Sequence, residues 1–314
     1  IFDTASRKEV AVHELAGYSV VGLSWAGDGG LRVLAQEKSM RRRSKVPASF
    51  RLLDPSSGVV LARFRSKRGA SGGRSVVFSK DSRRVFMDEL RAFTLVTLPA
   101  GKRGRTSFAS GTIVSLDDPQ IETAAFSDDG ALLAIGLGDH TSSSVSSVRE
   151  QDNTVRIWTT DPLEQIASLE GHESYVEHVR FSASGDLFAS ADVRGEVWIW
   201  NLETSQTTTT IEGRGPLAFS PDGRMLACGR KGGGVLLWDV RQRTELARFA
   251  GLPSEISSLN FSPDGRWLAM GYGKRVRLFD FQRNPSPQEH LDAILARARL
   301  RMEGVRMVEV FETP

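Results

Sequence analysis

The feature that most constrains the fold is a five-residue motif that returns along the chain. Phe219-Ser220-Pro221-Asp222-Gly223 recurs as Phe261-Ser262-Pro263-Asp264-Gly265, and looser copies begin at Trp25, Phe78, Phe126 and Phe181. Each copy is followed by a short apolar run and then by a second motif that ends in an aromatic residue. Four of these residues, Trp158, Trp200, Trp238 and Phe279, stand 42, 38 and 41 residues apart. The chain is therefore built from repeats of about 40 residues.

The pattern within each repeat predicts four short strands. Apolar and polar residues alternate with period two, β-branched and aromatic residues are frequent, and Asp-Gly pairs mark the turns. In the Ser-Pro-Asp-Gly turn, proline presets φ and glycine accepts a positive φ. A single four-stranded sheet cannot bury both of its faces, so we expect neighbouring repeats to stack face to face around an axis.

These residues resemble the repeats of the WD40 β-propeller family, and the Phe-Ser-Pro-Asp-Gly turn is typical of its bacterial-style members. A WD40 repeat opens on Gly-His and closes on Trp-Asp, which Gly171-His172 and Trp238-Asp239 match. The resemblance covers roughly residues 1–282. It implies an all-β, WD40-like propeller that binds partner proteins and does not catalyse a reaction.

The repeats give the expected domain organisation. They fall near residues 18–64, 73–108, 121–171, 172–213, 214–251 and 252–282, and residues 1–17 align with the second half of a repeat. We therefore expect a seven-bladed propeller of which one blade is only partly encoded here. Upstream sequence, another chain or the C-terminal tail would complete it, and upstream sequence is the preferred source.

The tail, residues 283–314, changes character. Ser286-Pro287-Gln288-Glu289 forms a capping box with proline at the first helical position. Leu291, Ile294, Leu295 and Ala298 then mark one helical face up to about Met302, and Val305 to Phe311 could form one more strand. We expect the helix to pack on the propeller's flank, with dimerisation or partner docking as the alternative.

The resemblance also implies a structural network. WD40 blades are often braced by buried His, Ser or Thr, Asp and Trp residues. In the fourth repeat His172, Ser190 and Trp200 match, but Arg194 stands where the Asp is expected; in the fifth, Cys228 and Gly232 replace Ser and Asp. The bracing is therefore expected to be partial, and Trp158, Trp238 and Asp239 complete the set of expected structural residues.

No catalytic, cofactor or metal motif occurs in the sequence. The five histidines, His13, His140, His172, His178 and His290, are scattered, and no Cys-x-x-Cys or His-x-x-x-His spacing occurs. The single cysteine, Cys228, excludes an intrachain disulfide and indicates a reducing compartment, so we expect a cytoplasmic protein. No apolar run is long enough to span a membrane.

Charge is distributed unevenly along the chain. The formal net charge is +3, yet residues 38–105 contain 18 Lys and Arg against 4 Asp and Glu. Connections between second and third strands, and those between blades, leave one face of a propeller. Two such segments, residues 36–48 and 65–74, place nine basic residues there: Lys38, Arg41, Arg42, Arg43, Lys45, Arg65, Lys67, Arg68 and Arg74. A third, residues 138–151, carries His140 and the Ser-rich run Thr141–Ser147, a mobile loop or a site of phosphorylation or partner contact.

Such a patch concentrates acidic partners or phosphates, although exposed Lys and Arg are often only solvated surface. Our leading hypothesis is an interaction scaffold that binds proteins, acidic ones included, on this face. A second is that the chain is the sensor or substrate-recruiting part of a larger enzyme, such as a bacterial kinase or protease. A third is nucleic-acid or anion binding through residues 38–105, which is disfavoured because the loops lack interleaved aromatic residues.

Overall fold

The computed structural model describes most of the repeat region. The described residues are 2–3, 8–9, 18–25, 31–37, 47–54, 59–69, 76–81, 83–88, 92–97, 111–116, 120–138, 152–249, 254–273, 275–281 and 308–309. The chain forms two compact units: unit 1 is Ile1–Asp152 with Arg156–Ile166, and unit 2 is Asn153–Val155 with Ala167–Pro314.

The first half of the chain is all β. Its strands are β1 (Phe2–Asp3), β2 (Lys8–Glu9), β3 (Tyr18–Trp25), β4 (Leu31–Glu37), β5 (Pro47–Asp54), β6 (Val59–Gly69), β7 (Val76–Phe78), β8 (Arg84–Asp88), β9 (Ala92–Thr97), β10 (Gly111–Ser115), β11 (Gln120–Phe126), β12 (Leu132–Gly138), β13 (Val155–Thr159) and β14 (Gln165–Leu169). After the hairpin β1-β2 they form three four-stranded sheets, each joined in sequence order.

The second half repeats this arrangement. Its strands are β15 (Val176–Phe181), β16 (Leu187–Asp192), β17 (Glu196–Asn201), β18 (Gln206–Glu212), β19 (Arg214–Phe219), β20 (Met225–Gly229), β21 (Val235–Asp239), β22 (Thr244–Phe249), β23 (Ile256–Phe261), β24 (Trp267–Tyr272), β25 (Arg275–Asp280) and β26 (Val308–Glu309). They form three more four-stranded sheets in sequence order. The all-β prediction, with each repeat a four-stranded antiparallel sheet, is confirmed.

A Ser-x-Asp turn connects the first two strands of the second, third, fifth and sixth sheets, and a related turn closed by Asp186 connects those of the fourth. In the third sheet, the Ser127 hydroxyl donates to Asp129 Oδ1 at 2.6 Å, and that carboxylate oxygen accepts the Ala131 amide at 2.9 Å. The same hydroxyl accepts the Leu132 amide at 2.9 Å. Gly130 adopts φ +72°, which a residue with a Cβ disfavours. The turn therefore closes on its own side chains.

Equivalent bonds occur in four other sheets. Ser79 with Asp81, Ser220 with Asp222 and Ser262 with Asp264 repeat the pattern, and in the fourth sheet Asp186 accepts from both Ser182 and Ser184. The hydroxyl bonds hold the pKa values of Asp129, Asp186 and Asp264 below their usual range. Ionised aspartate is therefore the form that the folded turn prefers.

The sheets bury apolar faces against their neighbours. In unit 2, Val197 and Ile199 of β17 belong to the same buried cluster as Leu217 and Leu226 of the next sheet. In unit 1, Phe93 of β9 packs edge-on against Trp158 of β13, with ring centroids 5.4 Å apart. Each fully buried aliphatic or aromatic side chain stabilises the fold by about 1.5–3 kcal/mol.

Two strand ends differ from the repeat boundaries that the sequence indicates. β6 continues through Arg65 to Gly69, because Arg65 pairs with Ser49 and Gly69 with Pro47. The predicted link at residues 65–74 is therefore strand over its first half. β10 lies beyond residue 108, where the second repeat was expected to end. In β6 the charged residues obscure the alternation that marks a strand, so the sequence did not reveal its length.

The two ends of the chain contribute short elements. The hairpin β1-β2 lies within residues 1–17, where the sequence predicts half a repeat. Within the predicted strand Val305–Phe311, β26 pairs with Leu278 and Arg277 as the fourth strand of the last sheet. The predicted helix at 286–302 lies outside the described residues, and seven-bladed closure stays a prediction.

The lowered aspartate pKa values predict acid sensitivity. Because these groups are more acidic in the folded chain, their contribution to the unfolding free energy is present above the unfolded pKa of about 4 and is lost as pH falls through the folded value. Replacing Asp129 with Asn should therefore make stability less dependent on pH below about 4. Chemical denaturation from pH 3 to 6 measures this, and parallel curves for the two proteins would contradict it.

Candidate interaction surface

Each four-stranded sheet has two chemically different ends. At one end, here called the turn end, the first strand connects to the second, and in five of the six sheets a turn closed by Ser and Asp side chains makes this connection. At the other, here called the loop end, the second strand connects to the third and the fourth strand leaves for the next sheet. Pairing of Pro47 with Gly69 places the start of β5 beside the end of β6. Residues 38–46 and 70–75 thus leave the first sheet from its loop end.

The predicted basic residues fall into two groups. Arg65, Lys67 and Arg68 lie in the last five residues of β6, so the backbone places them towards the loop end of the first sheet. Six others lie outside the described residues: Lys38, Arg41, Arg42, Arg43, Lys45 and Arg74. His140 and the run Thr141–Ser147 also lie outside them, in the segment that connects β12 to β13.

In unit 2, arginines at the loop ends are paired with glutamates. Arg194, in the β16-β17 turn, bonds to Glu173 at 2.7 Å, and both side chains are exposed. Arg230, in the β20-β21 turn, contacts Glu212 at 3.3 Å. Since exposed ion pairs contribute at most about 1 kcal/mol each, they set local charge more than stability.

A more protected ion pair links the first strands of unit 2. The Arg214 guanidinium, at the start of β19, contacts both carboxylate oxygens of Glu177 at 3.0 and 3.3 Å, and Glu255 lies 3.8 Å away. The bond to Glu177 raises the pKa of Arg214. The bidentate bond joins the fourth and fifth sheets, and the contact with Glu255 extends the connection to the sixth, all at their loop ends.

His178 lies beside this ion pair. A Cβ built on Gly215 would stand 1.6 Å from the His178 ring, so only glycine fits there. Burial lowers the pKa of His178, and Arg180 and Arg214 add to that effect while Glu177 opposes it. The neutral imidazole is therefore a packing surface for the neighbouring strand.

The fourth sheet contains a buried chain of hydrogen bonds. Trp200 Nε1 donates to Ser190 Oγ at 2.8 Å, and Ser190 Oγ lies 2.7 Å from His172 Nε2. His172 Nδ1 lies 3.1 Å from Asp192 Oδ2. Because the indole can only donate, the consistent arrangement has Ser190 donating to Nε2 and His172 Nδ1–H donating to the carboxylate.

Asp192 corrects the expectation of an incomplete network in this blade. Arg194 occupies the family position, but Asp192, two residues earlier at the end of β16, supplies the carboxylate. Burial alone would raise the pKa of Asp192. The hydrogen bonds from His172 and from the amides of Glu196 and Gly195 have the larger effect, so the pKa of Asp192 lies below its usual value. Sequence comparison by position missed this residue; a search for any carboxylate between Ser190 and Trp200 would have found it.

Trp198 covers this network. Its ring stacks on Trp200 with centroids 5.3 Å apart and lies 5.2 Å from the His172 ring. A Cβ on Gly171 would stand 2.6 Å from the indole, so that glycine, at φ +135°, is required for the cover to close. Trp198, the first tryptophan of the Val-Trp-Ile-Trp segment, therefore shields these hydrogen bonds from water.

Trp158, Trp238 and Asp239, the remaining expected structural residues, take part in no such network in the part of the chain that the structure describes. Nε1 of Trp158 and of Trp238 finds no acceptor among the described residues, and Asp239 accepts the Gln242 amide at 2.7 Å in a turn. Cys228 is fully buried among apolar side chains, and burial raises its pKa to about 12. The fifth sheet is thus held by apolar packing.

The described residues contain no group of three or more His, Cys, Asp or Glu side chains that could hold a metal ion. None of the helices in the described part of the chain is long and apolar enough to cross a membrane. The chemistry seen at the loop ends is that of ion pairs and packing.

Comparisons with known proteins agree with the repeats. The family model "WD domain, G-beta repeat" matches residues 163–201, 217–239 and 244–280. The chain is 35% identical over 88 residues to a WD repeat-containing protein SL1-17 of Schistosoma mansoni, which covers 27% of this chain and 29% of that protein. It is 28% identical over 141 residues to pre-mRNA-processing factor 19 homolog 2 of Arabidopsis thaliana, covering 42% of this chain and 27% of that protein.

A human relative is much longer than its matched segment. Apoptotic protease-activating factor 1 is 32% identical over 123 residues, covering 35% of this chain and 10% of that protein. The chain thus spans under a third of the length of each of these relatives. All three organisms are eukaryotes, so they give no support to the expected bacterial character of the repeats.

The hydrogen-bonded network predicts unequal effects of two neighbouring substitutions. Asp192→Ala should lower the unfolding free energy by about 2–3 kcal/mol because it leaves a buried imidazole N–H without its acceptor. Arg194→Ala, which removes only an exposed pair, should change it by less than about 0.5 kcal/mol. Urea denaturation compares them, and a larger cost for Arg194→Ala would show that the network does not depend on Asp192.

Burial of the single thiol predicts slow chemical labelling. Because Cys228 has no exposed surface and its pKa is raised to about 12, a thiol reagent at pH 8 should react only as fast as the sheet opens. Absorbance with an aromatic disulfide reagent follows the reaction, with the urea-unfolded chain as the fast reference. Labelling of the folded chain at the unfolded rate would contradict the burial.

Proposed function

We propose that this chain, in which residues 163–201, 217–239 and 244–280 match WD40 repeats, is a protein-interaction scaffold that binds acidic partners at the loop end of unit 1. The WD40 repeats support protein binding in general. The particular surface rests on how charge is distributed between the loop ends of the sheets.

The observation that supports this surface is a difference in charge between the loop ends of the two units. In unit 2, Arg194, Arg214 and Arg230 each contact a glutamate. In the first sheet of unit 1, residues 38–48 and 65–74 contain nine basic residues and no acidic one. Such a local excess of positive charge attracts acidic partners over long range and accelerates their association.

The frame behind this surface suits a binding platform. Turns closed by Ser and Asp side chains and buried apolar faces hold the sheets, so the connections at the loop end of the first sheet are free to differ in length and charge. We also propose a cytoplasmic location, which a single, buried, unoxidised cysteine suits.

A charge-replacement pair tests the proposal. One variant replaces Arg41, Arg42, Arg43, Lys67 and Arg68 with Ala; a matched control replaces Arg194, Arg224, Arg230, Arg241 and Arg248 with Ala. Both lose five positive charges. Binding of a fluorescent polyglutamate peptide should weaken roughly tenfold or more in the first variant and by under about threefold in the control.

A second ligand separates protein from nucleic acid. Because one relative is named for pre-mRNA processing, single-stranded RNA is the second ligand. An RNA of the same length as the polyglutamate peptide is titrated in parallel at two salt concentrations. Tighter binding of RNA than of polyglutamate, or equal losses in both variants, would contradict an acidic protein as the partner class.

A recruiting module within a larger enzyme is the second candidate. The relatives support it, because the matched segment makes up only 10% to 29% of their lengths. Sequencing the full transcript or gene decides this: an enzyme domain on the same chain would support the recruiting role, and a chain without one would exclude it.

A further inference from the structure

The outer strand of the second sheet differs from three of the other outer strands. β10 pairs with β9 residue for residue, from Gly111 opposite Val96 to Ser115 opposite Ala92. In contrast, the fourth strands β6, β18 and β22 each meet their neighbour through a bulge. Bulges and charges on an edge strand hinder the addition of a further strand.

β10 also lacks charge. Residues 106–116 include no Asp, Glu, Lys or Arg, whereas β6 and β22 contain such residues; β14 is also uncharged, but Glu164 and Glu170 flank it directly. Within β10, Thr112 and Ser115 are exposed, and Ile113 is 40% exposed although it is a large apolar side chain. Among the described strands, β10 has one neighbour, β9. Its outer edge thus combines regular backbone, β-branched residues and an exposed isoleucine.

We propose that the outer edge of β10 pairs with β10 of a second copy of this chain, in antiparallel orientation about a two-fold axis near Ile113. Pairing would satisfy the outward backbone groups of both strands and cover both isoleucines. An uncharged strand is compatible with itself, because no like charges meet directly across the pair. A two-fold axis makes the two contact surfaces identical and closes the assembly at two copies.

The sequence on either side favours this orientation. The uncharged run is preceded by Lys102, Arg103 and Arg105 and followed by Asp117 and Asp118. Antiparallel pairing brings the basic flank of one copy towards the acidic flank of the other. Parallel pairing would instead bring like charges together. The charge pattern therefore identifies a second copy as a complementary occupant of the edge.

Oligomeric state as a function of concentration tests the proposal. Sedimentation velocity of the full chain should show a monomer-dimer equilibrium. Ile113→Lys should weaken the dimer about tenfold or more, because two lysines would stand opposite each other. The matched control is Ile166→Lys, on the outer strand β14, where the isoleucine is 55% exposed; it should dimerise like the unmodified chain. A wild-type chain that stays monomeric at every concentration would overturn the proposal.

A cross-linking experiment tests the same contact without the Ile113→Lys substitution. Directly opposite residues in an antiparallel pair have Cβ atoms about 4.5–5.5 Å apart. Ile113→Cys should therefore form covalent dimers with a short bis-maleimide, while the buried Cys228 does not react. Ile166→Cys is the control and should remain uncross-linked. Equal cross-linking of the two variants would show that the β10 edges do not meet.

Discussion

The Ser-x-Asp turn is the interaction on which the rest of the structure depends. Its hydroxyl and carboxylate, which precede the bend, accept from backbone amides that follow it, so the first strand meets the second in one register. Register decides which face of a strand is apolar, since a shift of one residue would turn every side chain to the other face. Ala189 and Ala191 of β16 belong to the same buried cluster as Leu217 of the following sheet, so this stacking rests on the turn that joins β15 to β16.

Once the turn end is fixed, the loop end can vary. In the fourth sheet, a buried chain from Trp200 to Asp192 braces the blade, whereas the fifth sheet relies on apolar residues around Cys228. Both solutions hold the same backbone arrangement. Neither of these two solutions involves the basic segments 38–48 and 65–74 of the first sheet, which is the physical basis for placing partner recognition there.

The parts of the fold that sequence could predict are those encoded locally. The turn motif, the strand alternation and the all-β class follow from neighbouring residues. Asp192 was missed because a carboxylate two positions from the family site reaches His172 only through the pairing of β15 with β16. The length of β6 was missed for a related reason: Arg65 to Gly69 are strand because of β5, and their own charged pattern gives no sign of it. Pairing with another strand determined both the position of Asp192 and the length of β6.

The central claim is that partners bind at the loop end of unit 1 while the turn ends serve only as the frame. Hydrogen–deuterium exchange of the full chain, with and without bound polyglutamate, tests this most directly. The account predicts slower exchange in residues 36–48, 65–74 and 138–151 and unchanged exchange in the turns at residues 79–84 and 127–132. Protection confined to those turns, with none in the three loop-end segments, would contradict it.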